Sequence, residues 1–581
     1  MATYYVSKGN TNGFSTGHDT NNNGLSMAAP FLTISRAIVV GVDGDTIYVN
    51  DGTYTGTELG AASVIAVPST KSLKIYPWTP YGVTIQTAAA SAQIVSLTGT
   101  ANYDTVFGKF IIDGEIPGAP GTYQPTGVVL PNPSGQNVII LDGTKIQNCG
   151  TQNILNSKRR GTLIFNDVIF AGLMAQGVAS TSSGADVASM TVEINGLNCD
   201  TVTTSVNTLT RVLDFTRLST STFDFSFYAT RLTGSVTAPG ALGSSAAIAW
   251  LVLTGIGRAV NRAGVSRPVV VEDCNFSYTC ASTGATCYGI YIKNASRGSA
   301  AKANEPVIRR NTITGNAPST YVISAGDTTT AYDVDDARVY FNVITVPYFA
   351  SATPHCIALG NVTRGKVVGN RCNGGYVAVI AGINQGGIIA GNLSVGCYGM
   401  ALYCKGSGAT TAPLFVNNTV VLTNTLGAAR GGGLGVAVQG ATNNAAVTFR
   451  NNLVYAYTDL YRYVDVGTSQ VATFEGNNYY SAGPAGFTSP WSYQSSTYTT
   501  FAAWVAARES DAYNLDPKMI DAANGDYRLR YDSELRGAAK HAENFARSYR
   551  GRSTKTRRLG IGAYVTNSLI TAGTRGMDQW T

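Results

Sequence analysis

The sequence predicts an all-β protein built as a solenoid, in which short parallel strands stack coil upon coil. Eight segments between residues 269 and 482 share one pattern: an apolar run ends in Asn and continues into a second run of β-branched or aromatic residues. The steps between these Asn residues range from about 22 to 36 residues, a period typical of repeat architectures. The runs are short and bounded by Gly and Asn, which favours strands over helices.

The recurring Asn marks the expected bend between two strands of each coil. Asn tolerates a left-handed backbone and bonds to its own neighbourhood, so we expect it to occupy the bend itself. Amides stacked from coil to coil would form hydrogen-bonded ladders. The eight positions are Asn275, Asn311, Asn342, Asn370, Asn392, Asn418, Asn452 and Asn478.

Composition supports a turn-rich β protein. Of 581 residues, 65 are Gly and only 13% are charged.

No apolar run is long enough for a transmembrane helix, so we expect no membrane insertion. The start, MATYYVSKGN, lacks the basic and apolar regions of a signal peptide, which predicts a chain made and kept in the cytoplasm of the producing cell. The nine Cys are an odd number without a CxxC pair, and we expect reduced, buried thiols.

The net charge of +7 is concentrated near the C-terminus. Residues 528–558 contain ten Lys and Arg against three Asp and Glu. This basic segment suits an acidic partner such as an anionic glycan, or it is an ordinary solvated surface. Nucleic acid is a disfavoured partner because no recognised binding module accompanies the charge.

Residues 4–54 predict a short helix followed by the first coil. Ile34, Ala37 and Ile38 have helical spacing, and Thr33 is a suitable N-cap. A strand over 46–49 then ends in the turn 50–52. The helix would cover the first coil, where an open sheet end otherwise invites aggregation.

This opening resembles the N-terminal start of right-handed parallel β-helix proteins of the pectate-lyase-like superfamily. The C-terminal closing motif of those proteins is matched as well, although residues 533–558 are longer, more basic and more helix-prone than in the family. The matching residues are Tyr4, Tyr5, Val6, Ser7, Gly24, Pro30, Phe31, Thr33, Ile34, Ala37, Ile38, Gly44, Asp45, Thr46, Val49, Gly52 and Tyr54, and then Asp516, Pro517, Gly525, Asp526, Tyr527, Leu529, Gly560, Gly562, Ala563 and Tyr564.

The resemblance implies a right-handed, single-stranded parallel β-helix that covers nearly the whole chain. We expect an N-terminal cap and first coil over 1–54, the β-helix over 55–482, and a small C-terminal cap region over 483–581. The cap region would contain the basic segment and a second helix begun by Thr500, with Phe501, Trp504 and Val505 on one face.

The resemblance also limits the function, because such openings occur in phage tail spikes and in bacterial polysaccharide-active proteins. With no signal peptide, we expect a virion protein made in the host cytoplasm. It would be a homotrimeric tail spike or fibre that contacts other virion proteins and binds host surface polysaccharide. Cleavage of that polysaccharide by hydrolysis is left open. The alternatives are a non-catalytic structural or decoration protein and a bacterial polysaccharide lyase or hydrolase.

Hydrolysis needs two carboxylates, about 5–5.5 Å apart for retention or about 6.5–9.5 Å for inversion. Asp333 and Asp335 are at positions i and i+2 and would share one face of an extended segment, about 6.6 Å apart. We predict these two as the catalytic pair. The alternative acids are Asp327, Asp336, Asp459 and Asp465, and the predicted substrate-binding residues are Tyr332, Arg338, Tyr340, Tyr461 and Arg462.

Lyase chemistry is less favoured by the sequence. It needs a base beside a uronic carboxylate, and only His18, His355 and His541 are present. His355 stands before an apolar run and is predicted to be a packed or turn residue. No P-loop, dinucleotide fingerprint, HExxH or GxSxG motif occurs, so we expect no cofactor and no metal site.

Overall fold

The computed structural model divides the chain into two compact units, Met1–Pro306 (unit 1) and Val307–Thr581 (unit 2). In each unit the chain coils through three sheets, numbered 1, 2 and 3 in the order in which a coil meets them. The residues described are 1–59, 64–68, 70–87, 93–97, 104–130, 138–156, 161–180, 190–203, 210–216, 225–238, 248–254, 269–281, 286–293, 303–304, 306–326, 334–349, 352–360, 362–381, 386–406, 413–423, 434–440, 446–457, 462–482, 490–539 and 561.

Unit 1 contains short strands at both ends and long strands between them that run through more than one sheet. Sheet 1 contains Thr3–Val6, Thr46–Val49, Lys74–Pro77, Thr105–Gly108, Val138–Asp142 and Val270–Glu272. Sheet 2 contains Gly52–Tyr54, Val83–Ile85, Ile111–Asp113 and Asn275–Cys280. Sheet 3 contains Ile65–Val67, Val95–Leu97, Thr126–Leu130, Thr210–Thr216, Ile248–Thr254 and Cys287–Lys293. The long strands are Lys145–Asn156, Gly161–Ser180, Met190–Thr203 and Phe225–Ala238, and a further short strand is Ala303–Asn304.

Unit 2 is more regular, and each sheet receives one strand from every coil. Sheet 1 contains Val307–Arg309, Arg338–Tyr340, Lys366–Val368, Ile388–Ala390, Leu414–Val416, Val447–Arg450 and Ala472–Glu475. Sheet 2 contains Thr312–Asn316, Val343–Val346, Arg371–Gly374, Leu393–Val395, Thr419–Leu422, Leu453–Ala456 and Asn478–Ser481. Sheet 3 contains Thr320–Ala325, His355–Leu359, Val377–Ala381, Met400–Gly406, Leu434–Gly440, Arg462–Val466 and Trp491–Tyr493. Outside these sheets, Val334–Asp335 pairs with Val362–Thr363, and Met519–Asp521 pairs with Asp526–Leu529.

Strands of successive coils pair in parallel, which confirms the predicted parallel β-helix. In unit 2, for example, Ile344 is opposite Cys372, and Cys372 is opposite Ser394. Antiparallel pairing occurs where the last sheet 3 strand, Trp491–Tyr493, meets Ser496–Tyr498, and where Met519–Asp521 meets Asp526–Leu529. Alternate side chains point inward, and each fully buried aliphatic or aromatic side chain contributes about 1.5–3 kcal/mol.

The Asn series forms the predicted ladder, but the Asn residues do not make the bend. The left-handed residue is the one before each Asn from Asn311 to Asn452, as at Arg310, Phe341 and Gly369. The Asn that follows points into the interior. Each side-chain amide from Asn311 to Asn452 donates to the next Asn Oδ1 at 2.9 Å.

The ends of the predicted Asn series need correction. Asn275 is exposed, and the last Asn of the ladder is Asn477 rather than Asn478. Asn477 donates to the Glu509 carboxylate at 2.8 Å, whereas Asn478 bonds to the backbone of Leu515. The ladder therefore ends on a carboxylate that the sequence pattern does not include.

The first helix, Ile34–Val40, follows the prediction. The Thr33 hydroxyl accepts from the backbone N–H of Arg36, and Ile34, Ala37 and Ile38 are buried. The second helix, Phe501–Ala507, begins at Thr500 as expected, but of its predicted apolar face Trp504 alone is buried. No helix in the described part of the chain has the length and apolar character needed to cross a bilayer.

Trp504 and Glu509 both continue interior rows of unit 2. The rings of Phe415, Phe449 and Phe474 stack at 4.7 and 5.4 Å, and Trp504 packs on Phe474 at 5.2 Å.

The chain then returns along sheet 2. Tyr527 packs among Leu393, Val421 and Tyr455, and Leu529, Leu535 and Ile561 pack against Leu453. The segment predicted as a C-terminal cap thus also lies along the side of the coils, over the outward residues of sheet 2.

Candidate functional site

A row of aromatic side chains lies on the outer face of sheet 1 in unit 1. Tyr5 is in register with Tyr48, and Tyr48 is in register with Tyr76. The strands place these residues outward because their neighbours, such as Val49, point into the core. The ring centroids of Tyr5 and Tyr48 are 6.3 Å apart, and those of Tyr48 and Tyr76 are 6.4 Å apart.

Trp78 follows the third of these strands and completes the row. Its ring lies 5.8 Å from Tyr48 and 6.4 Å from Tyr5, and 38% of the residue is exposed. Phe14, which is 3% exposed, packs edge-on against Trp78 at 5.3 Å and holds it in place. We call Tyr5, Tyr48, Tyr76 and Trp78 the aromatic strip.

The hydroxyl of Tyr76 in the strip is protonated at neutral pH. Burial raises the pKa of Tyr76, and the charge of Asp142 raises it further. Tyr81, which is 40% exposed and follows the same strand, has its pKa raised by burial and by Asp167 and Asp142. Neutral phenols can both donate and accept hydrogen bonds. The strip therefore offers ring surface together with hydroxyl groups, a combination suited to amphipathic ligands.

The predicted catalytic pair is only partly within the described residues. Asp335 lies in the strand Val334–Asp335, opposite Thr363, and Val334 is buried. Nothing is described of the Asp335 side chain. Asp327, Tyr332, Asp333, Asp459 and Tyr461 lie outside the described residues. Asp333 and Asp335 as a catalytic pair stays a prediction.

Asp336 is held by two cations. Its Oδ2 accepts from the Arg338 guanidinium at 2.7 Å, and its Oδ1 lies 3.0 Å from Lys366 Nζ. Burial alone would raise the pKa of Asp336, but hydrogen bonds from Arg338 and Lys366 and their charges outweigh it and lower the pKa. An ionised carboxylate that neutralises two cations is poorly suited to act as a general acid.

Arg338 and Tyr340, two of the predicted substrate-binding residues, lie on the outer face of sheet 1 in unit 2, half-buried. Burial raises the pKa of Tyr340 to about 12, against the opposing effect of Arg338. Arg338 is engaged by Asp336, which limits its use for a ligand.

The second predicted cluster lies on a different sheet. Arg462 and Asp465 belong to sheet 3, where Asp465 accepts from Gln439 Nε2 at 2.6 Å and pairs with Arg462 Nη1 at 3.4 Å. The structure therefore does not bring these residues to Arg338 and Tyr340. Asp465 has the ordinary outward position of a sheet residue.

His355 is packed, as predicted. It meets the Tyr321 ring edge-on at 4.6 Å, and burial followed by the charge of Lys405 lowers its pKa to about 4. Its Nδ1 has no hydrogen-bond partner among the described residues. All nine Cys are buried with free thiols. In the described part of the chain, no cluster of three or more His, Cys, Asp or Glu is arranged to hold a metal ion.

Sequence reasoning missed the aromatic strip, although a signal for it was present. TYYV, TIYV and KIYP are successive sheet 1 strands, and each has Tyr as its third residue. Aligning these runs as stacked strands brings the three tyrosines into one row. The separations of 43 and 28 residues hide the row from any search for short motifs.

Comparison with known proteins gives similarity to solved structures at low sequence identity. No family model matches the sequence, and no curated protein matches it. Among solved structures, the chain is similar to one titled "Crystal structure of pectate lyase Pel9A", with 11% identity, a TM-score of 0.21 and coverage of 98% of this chain and 97% of the other. It is also similar to a rhamnogalacturonan lyase, with 13% identity, a TM-score of 0.22 and coverage of 80% and 84%.

Both titles name lyases. The TM-scores are low, so the fold assignment rests on the parallel strand register of this chain. The site is argued from its own residues.

Proposed function

We propose that the protein is a virion component of the tail-spike type, and that it binds a polysaccharide of the host surface along the aromatic strip. The single observation that supports the polysaccharide binding is the repetition of outward aromatic residues in coil-to-coil register, and the tail-spike type follows from the resemblance drawn from the sequence. Successive parallel strands place equivalent side chains about 4.8 Å apart. A polymer of sugar rings can then meet several aromatic rings with the same local geometry.

The chemistry of the strip suits a sugar better than it suits folding alone. Tyrosine and tryptophan combine a large apolar ring with a polar group, so they are frequent at interfaces where one end of the side chain contacts apolar groups and the other contacts water. Ring pairs across strands also add about 0.5–1.5 kcal/mol to stability. Stability from ring packing would be obtained with Trp78 fully buried, yet 38% of Trp78 is exposed. The exposed part of the ring is available to a ligand.

Binding of a capsule or lipopolysaccharide preparation by purified variants tests this proposal. Trp78→Ala and Tyr48→Ala should each weaken binding at least about tenfold, with the thermal midpoint lowered by only a few degrees. Tyr531→Ala is the matched control, because Tyr531 is 86% exposed and lies in unit 2. Binding by the Trp78 variant equal to that of the wild type would overturn the proposal, as would an equal loss in the Tyr531 variant.

Assembly and attachment belong to the same proposal. We expect a homotrimer made in the host cytoplasm, since most soluble homo-oligomers close by symmetry. Contacts with other virion proteins would use the ends of the units or the basic segment 528–558. Light scattering should give three chains per particle, and a monomer at micromolar concentration would contradict the trimer.

Cleavage of the bound polysaccharide would depend on Asp333 and Asp335 as general acid and base. Asp333→Asn and Asp335→Asn should each abolish release of reducing ends, with glycan binding and thermal stability unchanged. Full activity in either variant would show that the pair is not catalytic.

A receptor-binding or structural protein without catalysis is the second candidate. It is favoured because two of the alternative acids are already engaged: Asp336 is paired with Arg338 and Lys366, and Asp465 accepts a hydrogen bond from Gln439. Polysaccharide binding without new reducing ends or unsaturated products would establish this candidate. Unsaturated products would instead point to a lyase.

A further inference from the structure

The outward row that begins with the aromatic strip continues as a polar column. Ile75 is opposite Phe107, so the row continues from Tyr76 to the next residue, Gly108, which is in register with Asp142. From there the register runs through side chains that are all polar. They are Asp142, Asn166, Asn195, Thr230 and Glu272.

The strip and the polar column are contiguous. A Cβ atom on Gly108 would lie 2.8 Å from Tyr76 Cε1 and 3.1 Å from the Asp142 Cβ, so the glycine leaves room for the Tyr76 ring beside Asp142. The charge of Asp142 contributes to the raised pKa of Tyr76, which agrees with their closeness. One outer face of unit 1 therefore offers aromatic rings first and hydrogen-bonding groups next.

The polar column is rich in hydrogen-bond acceptors. Asn195 Nδ2 donates to Asn166 Oδ1 at 3.2 Å, and the Tyr228 hydroxyl donates to Glu272 Oε1 at 3.0 Å. Ionised carboxylates can only accept hydrogen bonds, so a ligand that pairs with them must supply donors. Hydroxyl groups of a sugar supply such donors.

The charge on this face is negative. Among the described outward residues of sheet 1 in unit 1, the carboxylates are Asp142, Glu193 and Glu272, and the cation is Lys74. At the adjoining bend the charges balance, because Asp167 and Arg231 pair with each other at 3.1 Å and the bend also contains Lys109 and Asp273. A polymer with a carboxylate on every sugar would bring like charges close together over several coils.

We propose that this face binds a neutral, hydroxyl-rich polysaccharide and discriminates against polyuronates. The inference rests on the proposed glycan binding and names the class of glycan. The sugar rings pack on the aromatic strip, and the sugar hydroxyl groups donate hydrogen bonds to the carboxylates and amide oxygens of the polar column. A neutral sugar has no acidic proton beside a carboxylate, so cleavage of such a ligand would be hydrolysis and not elimination.

The test compares polymers whose sugars carry either a carboxylate or, after reduction, an uncharged hydroxymethyl group at the same position. Polygalacturonate and alginate are titrated beside their carboxyl-reduced, neutral derivatives and a panel of neutral glucans and mannans, at low and high salt. We expect neutral polymers to bind at least about tenfold more tightly than their acidic parents at low salt, with a smaller difference at high salt because salt screens the repulsion.

Glu193→Lys should raise the affinity for polyuronates at least about tenfold at low salt. Glu534→Lys makes the same charge change on an exposed residue of unit 2 and should leave that affinity unchanged. Polyuronates that bind as tightly as their neutral derivatives would overturn the inference while leaving glycan binding in place. A failure of every polymer to bind would overturn the proposed function and this inference together.

Discussion

Removal of one amide from the Asn ladder should destabilise unit 2 far more than removal of a half-buried amide on the outer side of a sheet. Asn392 is the middle of the ladder and is 2% exposed. Its Oδ1 accepts from the backbone and side-chain N–H groups of Asn370, both at 2.9 Å. Its Nδ2 donates to the carbonyl of Val367 at 2.8 Å and to Asn418 Oδ1 at 2.9 Å.

Asn392→Ala deletes these four hydrogen bonds and leaves their partners buried. At about 1 kcal/mol of net stability for each bond, the loss is about 4 kcal/mol, and unsatisfied partners would add to it. Asn373→Ala is the matched control, because Asn373 is half-buried on the outer side of sheet 2 and its bonds can be replaced by water. We expect a loss of less than about 1 kcal/mol for the control.

Chemical denaturation followed by circular dichroism and tryptophan fluorescence measures both variants against the wild type. The ladder variant should unfold at a clearly lower denaturant concentration, and hydrogen exchange should quicken in the strands next to residue 392. Equal midpoints for Asn392→Ala and Asn373→Ala would refute the view that the ladder stabilises the coils.

Three further predictions concern stability. Burial, against hydrogen bonds from Asn477, Trp504 and Tyr479, raises the pKa of Glu509 from 4.5 to about 7. Between these two pH values the folded state holds a proton that the unfolded state has lost. The free energy of unfolding should therefore fall as pH rises from about 4.5 through 7, by up to about 3 kcal/mol. Denaturation measured across that range should show this pH dependence in the wild type and not in Glu509→Gln. Gly374→Ala should lower the free energy of unfolding by well over about 2 kcal/mol, because the new Cβ would lie 2.0 Å from a backbone oxygen. Gly391→Ala has open space around it and should lose only about 1–2 kcal/mol, for its left-handed backbone. Equal shifts of the thermal midpoint would contradict this difference. Asp336→Asn should lower the thermal midpoint, because Arg338 and Lys366 lose their counter-charge, and an unchanged midpoint would mean that the pairing is not stabilising.

The sequence was sufficient to predict the coils because their information is local. Short apolar runs, Gly and Asn mark each strand and bend, and both helix starts, Thr33 and Thr500, are ordinary N-caps. The bend itself was misplaced by one residue. In unit 2 the left-handed position is Gly or Asn before five of the seven ladder residues but Arg310 and Phe341 before the other two. The interior position that follows is Asn in all seven, so the recurring Asn marks the residue after the bend.

The candidate site was harder to predict because its parts meet only through register. The three tyrosines of the strip are in separate coils, and their row appears once strand pairing is known. Glu509 likewise bonds to the end of the ladder, but it lies after the last coil, where the sequence repeat that marks the Asn residues has ended. Asp336 was a candidate because it lies in an acidic run, yet its role is set by Lys366, a residue of the next coil.

Hydroxyl-radical footprinting with and without bound polysaccharide tests the central claim most directly, because it reports the solvent access of individual Tyr and Trp side chains. At saturating neutral polysaccharide, oxidation of Trp78 and Tyr81 should fall several-fold, while oxidation of Tyr531 should not change. Unchanged oxidation of Trp78 in the presence of bound glycan, together with protection of Tyr340, would contradict the account and move the binding site to unit 2.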